Sequence, residues 1–264
     1  MIMDHQSTRL YARDLTNGYD GKIVSQGLNV DIPDGAFSVI VGPNACGKST
    51  LLRSLARLSP PKSGEVYLDG KAIHTHPEKE VAKRLGLLPQ TAIAPDGMTV
   101  YDLVARGRFP HQKFFQRWTS EDESACTKAL IATGVADLAD RAVSQLSGGQ
   151  RQRVWIAMAL AQETPLLLLD EPTTFLDIAH QIELLNLCRR LNRDEGRTLV
   201  AVLHDLNQAC RYGDHIIAMK DGAIIVTGAP RAVITEEVVR DVFGISCLII
   251  PDPVTATPMI VPRD

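Results

Sequence analysis

Leu146-Ser147-Gly148-Gly149-Gln150 takes its meaning from what stands on either side of it. Upstream is Gly42-Pro43-Asn44-Ala45-Cys46-Gly47-Lys48-Ser49; downstream is the apolar run Leu166-Leu167-Leu168-Leu169, closed by Asp170-Glu171. Phe37-Ser38-Val39-Ile40-Val41 leads into the upstream stretch as a strand, and good helix formers follow from Lys48 to Leu58 until Pro60-Pro61. A glycine-bearing loop between strand and helix curls its N–H groups toward phosphate oxygens, and the helix adds its positive end. Ser147-x-x-Gln150 is also a capping box that opens a helix through Arg151 and Val154. The two readings are compatible, because a Ser-Gly-Gly helix start presents N–H groups that also hold anions.

The 264 residues suffice for one large domain or a core with a subdomain. Hydrophobic content of 45% and charged content of 22% describe an ordinary globular chain. A net charge of -3, with no Lys/Arg block, argues against nucleic-acid binding by counterion release. No apolar run approaches the roughly 20 residues that span a bilayer. The opening Met1-Ile2-Met3-Asp4-His5-Gln6 lacks the regions of a signal peptide, so a cytoplasmic protein is expected. Cys46, Cys126, Cys188, Cys210 and Cys247 are odd in number and scattered, which predicts reduced thiols.

Strand signals dominate the first third: Leu28–Ile32, then Phe37–Val41, then Glu65–Leu68 before the Asp69-Gly70 turn. From Gln90 to about Gln162 the pattern is helical. Cys126, Ala129, Leu130 and Thr133 share one face, as do Val154, Ala157, Met158 and Ala161. Leu166–Leu169 and Leu199–Leu203 are continuous apolar runs, as in parallel strands covered on both faces. Leu184, Leu187, Cys188 and Leu191 supply the helix between them, which makes a βαβ unit. Ala223–Val226 reads as a strand and Glu236–Phe243 as a helix. Leu248-Ile249-Ile250 and Met259-Ile260-Val261 read as a terminal hairpin.

The phosphate loop, Leu146–Gln150 and the strand closed by Asp170-Glu171 together resemble the ATP-binding cassette family, and the likeness covers nearly the whole chain. The resemblance implies an α/β fold: a P-loop NTPase (RecA-like) core with an N-terminal antiparallel β-subdomain and an inserted helical signature subdomain. The core would span 1–89 and 163–264, and the insert 90–162. ATP and Mg²⁺ are the implied ligands. Gly42, Pro43, Asn44, Ala45, Cys46 and Gly47 would cradle phosphates, Lys48 would charge-pair with the β- and γ-phosphates, Ser49 would reach Mg²⁺, and Thr50 the α-phosphate.

By the same resemblance Asp170 holds Mg²⁺ and Glu171 deprotonates the attacking water. Gln90, after Leu87-Leu88-Pro89, touches Mg²⁺ and the water; His204 clamps the γ-phosphate; Tyr19 stacks on adenine. Ser147, Gly148, Gly149 and Gln150 grip the γ-phosphate held by a second subunit, and Asp177 lies in a loop crossing that dimer interface. Taken singly, a strand-end His is usually structural and a Tyr usually core. Cys46 lies beside Lys48 and a helix N-terminus, where a thiol pKa should fall, but the favoured reading is a small side chain that merely fits.

Gly107-Arg108-Phe109-Pro110-His111-Gln112, Thr174–Gln181 and Ile250-Pro251-Asp252-Pro253-Val254 resemble the ATPase subunits of ferric-siderophore importers. Related haem and cobalamin importers are the alternative. The implied assembly is a homodimer on the cytoplasmic side of the inner membrane, bound to permease subunits and, through them, to a periplasmic or surface siderophore-binding protein. Thr91–His111, with Val100, Leu103, Val104 and Phe109, would receive a permease helix. A DNA-repair member would carry a long coiled coil, a translation member a second cassette, and an exporter a fused membrane domain. A non-hydrolysing scaffold is opposed by Glu171 and His204.

Overall fold

The computed structural model describes residues 8–19, 21–90, 94–112 and 117–263. By internal contacts the chain forms two compact units. One joins the chain up to His76 with everything from Thr198 onward; the other is Pro77–Arg197. This grouping takes the strands ending at Leu88 and Leu169 together with the helices between them.

In the first unit, β1 (Leu10–Tyr19), β2 (Lys22–Ile32), β4 (Ser63–Leu68) and β5 (Lys71–Ala72) form an antiparallel sheet ordered β2-β1-β4-β5. Burial alternates along β1, as expected of a sheet with one face on a core. β3 (Phe37–Val41) leads to α1 (Lys48–Leu55). After the second unit come β8 (Thr198–Val202), α7 (Leu206–Tyr212), β9 (His215–Lys220), β10 (Ala223–Gly228), α8 (Pro230–Val233) and α9 (Glu236–Phe243). β8 and β9 flank β3 in parallel, and β10 lies antiparallel to β9. Every residue of β3 and of β8 is buried, which is why both read as unbroken apolar runs rather than alternating ones. Each fully buried Val, Leu or Ile there contributes roughly 1.5–3 kcal/mol of transfer free energy.

The terminal hairpin forms as expected from β11 (Cys247–Pro251) and β12 (Pro258–Pro262), pairing Leu248 with Val261 and Ile249 with Ile260. Asn207 on α7 clips it, donating to the Ile260 carbonyl (3.2 Å) and accepting from the Ile260 N–H (2.7 Å). One boundary differs from expectation. α1 ends at Leu55, not Leu58, because Arg57 turns left-handed (φ 60°) and the Leu58 N–H folds back to the Arg53 carbonyl. The stop therefore comes before Pro60-Pro61 is reached.

The second unit holds α2 (Glu78–Ala82), β6 (Leu85–Leu88), α3 (Val100–Ala105), α4 (Ser120–Ala132), α5 (Gly148–Ala161), β7 (Leu166–Leu169) and α6 (Ile178–Arg193). β6 and β7 pair in parallel, Leu88 opposite Leu169. The predicted faces are buried on α4 (Cys126, Ala129, Leu130) and on α6 (Leu184, Leu187, Cys188, Leu191); on α5 Val154, Ala157 and Ala161 are buried and Met158 is partly exposed. α3, α4 and α5 each open with a capping box, set by Thr99, Thr119 and Ser147. Among the described residues no helix is long and apolar enough to cross a membrane.

Candidate functional site

The groups singled out in the sequence fall into two sets, one in each unit. In the first unit, the parallel register of Ile40 with Val202 brings the loop after β3 and the residues after β8 to the same carboxyl end of adjacent strands. That end of a parallel sheet is where ligands bind in such folds. The loop is built by backbone conformation. Gly42 (φ 155°) has no room for a side chain, since a Cβ there would lie 2.2 Å from the Met219 carbonyl oxygen. Gly47 (φ 102°) precedes α1, and Ala45 is left-handed at φ 61°.

Lys48 is buried, and its ammonium donates to the carbonyls of Gly42 (2.9 Å) and Pro43 (2.8 Å). Two of its three hydrogens are spent on holding the charge over its own loop, and one remains for a ligand. Asn44 and Ala45 are exposed, and Pro43 is half-buried, as are Ser49 and Thr50 on the first turn of α1. His204 is exposed, two residues beyond the end of β8. Tyr19 is exposed at the tip of the β1–β2 hairpin, whose Val24 packs against Gly47.

At Cys46 the packing reading fits and the activated-thiol alternative does not. Its thiol pKa is raised, because burial outweighs the attraction of Lys48. Burial likewise pushes Cys126 to about 11 and Cys188 to about 12.

In the second unit, Asp170 and Glu171 follow β7 while Gln90 follows the adjacent β6. Asp170 is almost fully buried, its N–H bonded to the Leu88 carbonyl (2.9 Å). Glu171 turns left-handed (φ 51°), which frees its side chain from strict alternation with Asp170. Gln90 Nε2 donates to Glu171 Oε2 at 2.8 Å, and Thr174 Oγ1 donates to the same oxygen at 3.3 Å. The Gln90 amide thus turns its nitrogen, not its oxygen, to Glu171. Thr174 was not foreseen, although it follows Glu171 closely in sequence.

Ser147 caps α5: its Oγ accepts from the Gln150 N–H (3.2 Å) and Gln150 Oε1 accepts from the Ser147 N–H (3.0 Å). Ser147 and Gly148 are exposed, and the nearest side chain to a Cβ built on Gly148 is Phe175, at 3.8 Å. Asp177 caps α6 by accepting from the His180 N–H (2.9 Å), a bond that holds its carboxyl below the usual range. Phe175 and Ile178, on either side of it, are more than 70% exposed, an uncommon display for large apolar residues beside a helix cap.

An ion cluster also escaped the sequence reading. Arg108, 5% exposed, bonds Asp122, Glu163 and the Ala161 carbonyl. Burial alone would raise Asp122, but bonds from Arg108 and Thr119 hold it low. Removing one member of such a buried pair costs about 3–5 kcal/mol.

The ABC transporter family profile matches residues 25–174. The ferric enterobactin transport ATP-binding protein FepC of Escherichia coli K12 is 57% identical over 260 residues, spanning 98% of this chain and 96% of its own length. The chain belongs to the ABC transporter ATPases. Iron(3+)-hydroxamate import ATP-binding protein FhuC of Bacillus subtilis 168 is 49% identical, over 97% of this chain and 95% of its own. A solved inward-facing transporter assigned to the metal-chelate ABC type superposes with a TM-score of 0.81 at 29% identity, covering 97% of each chain. This ABC ATPase therefore has the cassette fold, with its antiparallel β-subdomain and mixed parallel sheet, and it binds ATP.

Proposed function

We propose that this ATPase powers import of a ferric siderophore. Two copies would enclose two ATP molecules at the cytoplasmic face of the inner membrane, bound to permease subunits that receive cargo from a siderophore-binding protein. Likeness over nearly the full length to two relatives named for chemically different iron chelates, enterobactin and hydroxamates, carries the cargo class.

The residue roles follow from chemistry. Gly42–Gly47 direct N–H groups at phosphates, Lys48 offsets charge on the β- and γ-phosphates, Thr50 serves the α-phosphate and Tyr19 offers its ring to adenine. Ser147, Gly148, Gly149 and Gln150 of the partner subunit hold the γ-phosphate by a helix start, and Asp177 lies at that subunit boundary. The donors Ser49, Gln90 and Asp170 are hard oxygens, the set Mg²⁺ takes alongside phosphates and water. When bound there, the ion supplies charge neutralisation to the leaving phosphates. Glu171 accepts the proton of the attacking water as its oxygen bonds the γ-phosphorus and the bond to the ADP oxygen breaks. Gln90 aims the Glu171 carboxylate, and His204 donates toward the γ-phosphate.

The deciding experiment is ATP-driven uptake by the reconstituted transporter, using radioactive iron bound to a catecholate or a hydroxamate siderophore. Uptake with the wild type and none with Glu171→Gln is expected. Transport of haem or cobalamin, and of neither siderophore, would overturn the cargo assignment.

A further inference from the structure

Gly107–His111 meets the last turn of α5 at successive points, all inside the unit Pro77–Arg197. A Cβ on Gly107 would lie 2.2 Å from the Met158 carbonyl oxygen, so only glycine allows this approach. Arg108 Nη1 donates to the Ala161 carbonyl (2.8 Å) and to Glu163 Oε2 (2.7 Å), while its Nε donates to Asp122 Oδ1 (2.9 Å). His111 Nε2 lies 2.8 Å from the Gln162 carbonyl. A carbonyl only accepts, so that ring nitrogen carries the hydrogen. Both side chains thus occupy carbonyls at the negative end of α5, which otherwise have no intrahelical donor. Between them Phe109 is 71% exposed, with the Lys79 ammonium 5.5 Å from its ring centroid. From this clamp α5 runs unbroken for 14 residues, about 21 Å at 1.5 Å per residue, back to its Ser147 cap.

We propose that Arg108 and His111 are positioning residues that tie the exposed Phe109 segment to the carboxyl end of α5, so that a permease helix seated on Phe109 moves Ser147–Gln150 at the other end. The inference rests on the importer reading above, which supplies the partner. A helix held at its carbonyl end by a buried guanidinium, bonded through Nε and Nη1, shifts as a body, and its first turn carries the groups that grip phosphate. Lysine is no substitute at 108. Its single ammonium lacks the planar fork that reaches Asp122, Glu163 and the Ala161 carbonyl together.

The test uses the ATPase assembled with its permease in lipid nanodiscs, with Arg108→Lys, His111→Leu and His111→Gln. Three quantities are read: assembly, ATP affinity of the isolated subunit, and permease-stimulated over basal turnover. Arg108→Lys and His111→Leu should assemble and bind ATP as wild type does, while stimulation falls about five- to tenfold. His111→Gln, whose amide still donates to a carbonyl, should keep it. Undiminished stimulation in both of the first two variants overturns the proposal. A loss that merely follows lost assembly or lost ATP affinity also overturns it, since the residues would then serve docking or folding alone. Should Arg108→Lys fail to fold, the His111 pair decides: uncoupled with Leu and coupled with Gln, or the proposal falls. A wild-type chain that binds no permease removes the importer reading and the clamp together, and that result is told apart because it needs no variant.

Discussion

Around the phosphate loop the chain itself is the constraint: Gly42 and Gly47 occupy positive-φ positions, and Met219 leaves no space beside Gly42. Around Glu171 the constraint is two side-chain donors, Gln90 at 2.8 Å and Thr174 at 3.3 Å, on one carboxylate oxygen. The first arrangement fails by steric change and the second by chemical change. A substitution in the loop should therefore cost binding, and one in the carboxylate cluster should cost turnover while binding persists.

The largest effect is expected at Glu171. Glu171→Gln keeps the shape and loses the base, so turnover should drop by roughly 10²–10⁴-fold with ATP still bound and the dimer trapped. Phosphate-release assays together with gel filtration in ATP check this, and wild-type turnover would remove the base. Lys48→Ala should weaken ATP binding by about 10–100-fold, the value of a lost charge-assisted contact or two, with the circular dichroism unchanged. Gly42→Ala should do likewise but also lower the melting temperature, because backbone must move to admit its Cβ; equal melting curves for the two variants would erase the distinction. Gln90→Leu should slow turnover about tenfold with ATP affinity held, the scale of one lost orienting bond. Smaller still, Ser147→Ala removes the cap of α5 and should cost about 1 kcal/mol, read by chemical denaturation. Finally, alkylation of Cys46 should show no rate advantage over a free thiol near neutral pH and should accelerate as pH rises, since its raised pKa leaves little thiolate. Fast labelling at pH 7 would restore the activated thiol.

What the sequence revealed divides along the same line as the site. The loop Gly42–Ser49 was legible because its function is local backbone geometry, and Leu166–Leu169 because burial on both faces erases alternation. Glu171 and Gln90 were named from the family resemblance, which carries no bond between them; that bond belongs to strand pairing, since each follows one member of the β6–β7 pair. At Cys46 the sequence left two readings open for a related reason. Sequence shows that Lys48 is near but not how deeply the thiol is covered. The ion cluster of Arg108, a residue quoted only for its importer-like stretch, gave no signal because its partners lie 14, 53 and 55 positions away. The end of α1 was misplaced because a left-handed arginine has no sequence mark, whereas Pro60-Pro61 does.

The clip between Asn207 and Ile260 has a practical side. α7 begins two residues after His204, and its second residue is the one that fastens β12. A chain cut before Cys247 lacks both of these bonds to Asn207, which should loosen the helix that follows His204. A shortened chain that hydrolyses ATP poorly should therefore be examined for a frayed α7 before any defect is assigned to its chemistry.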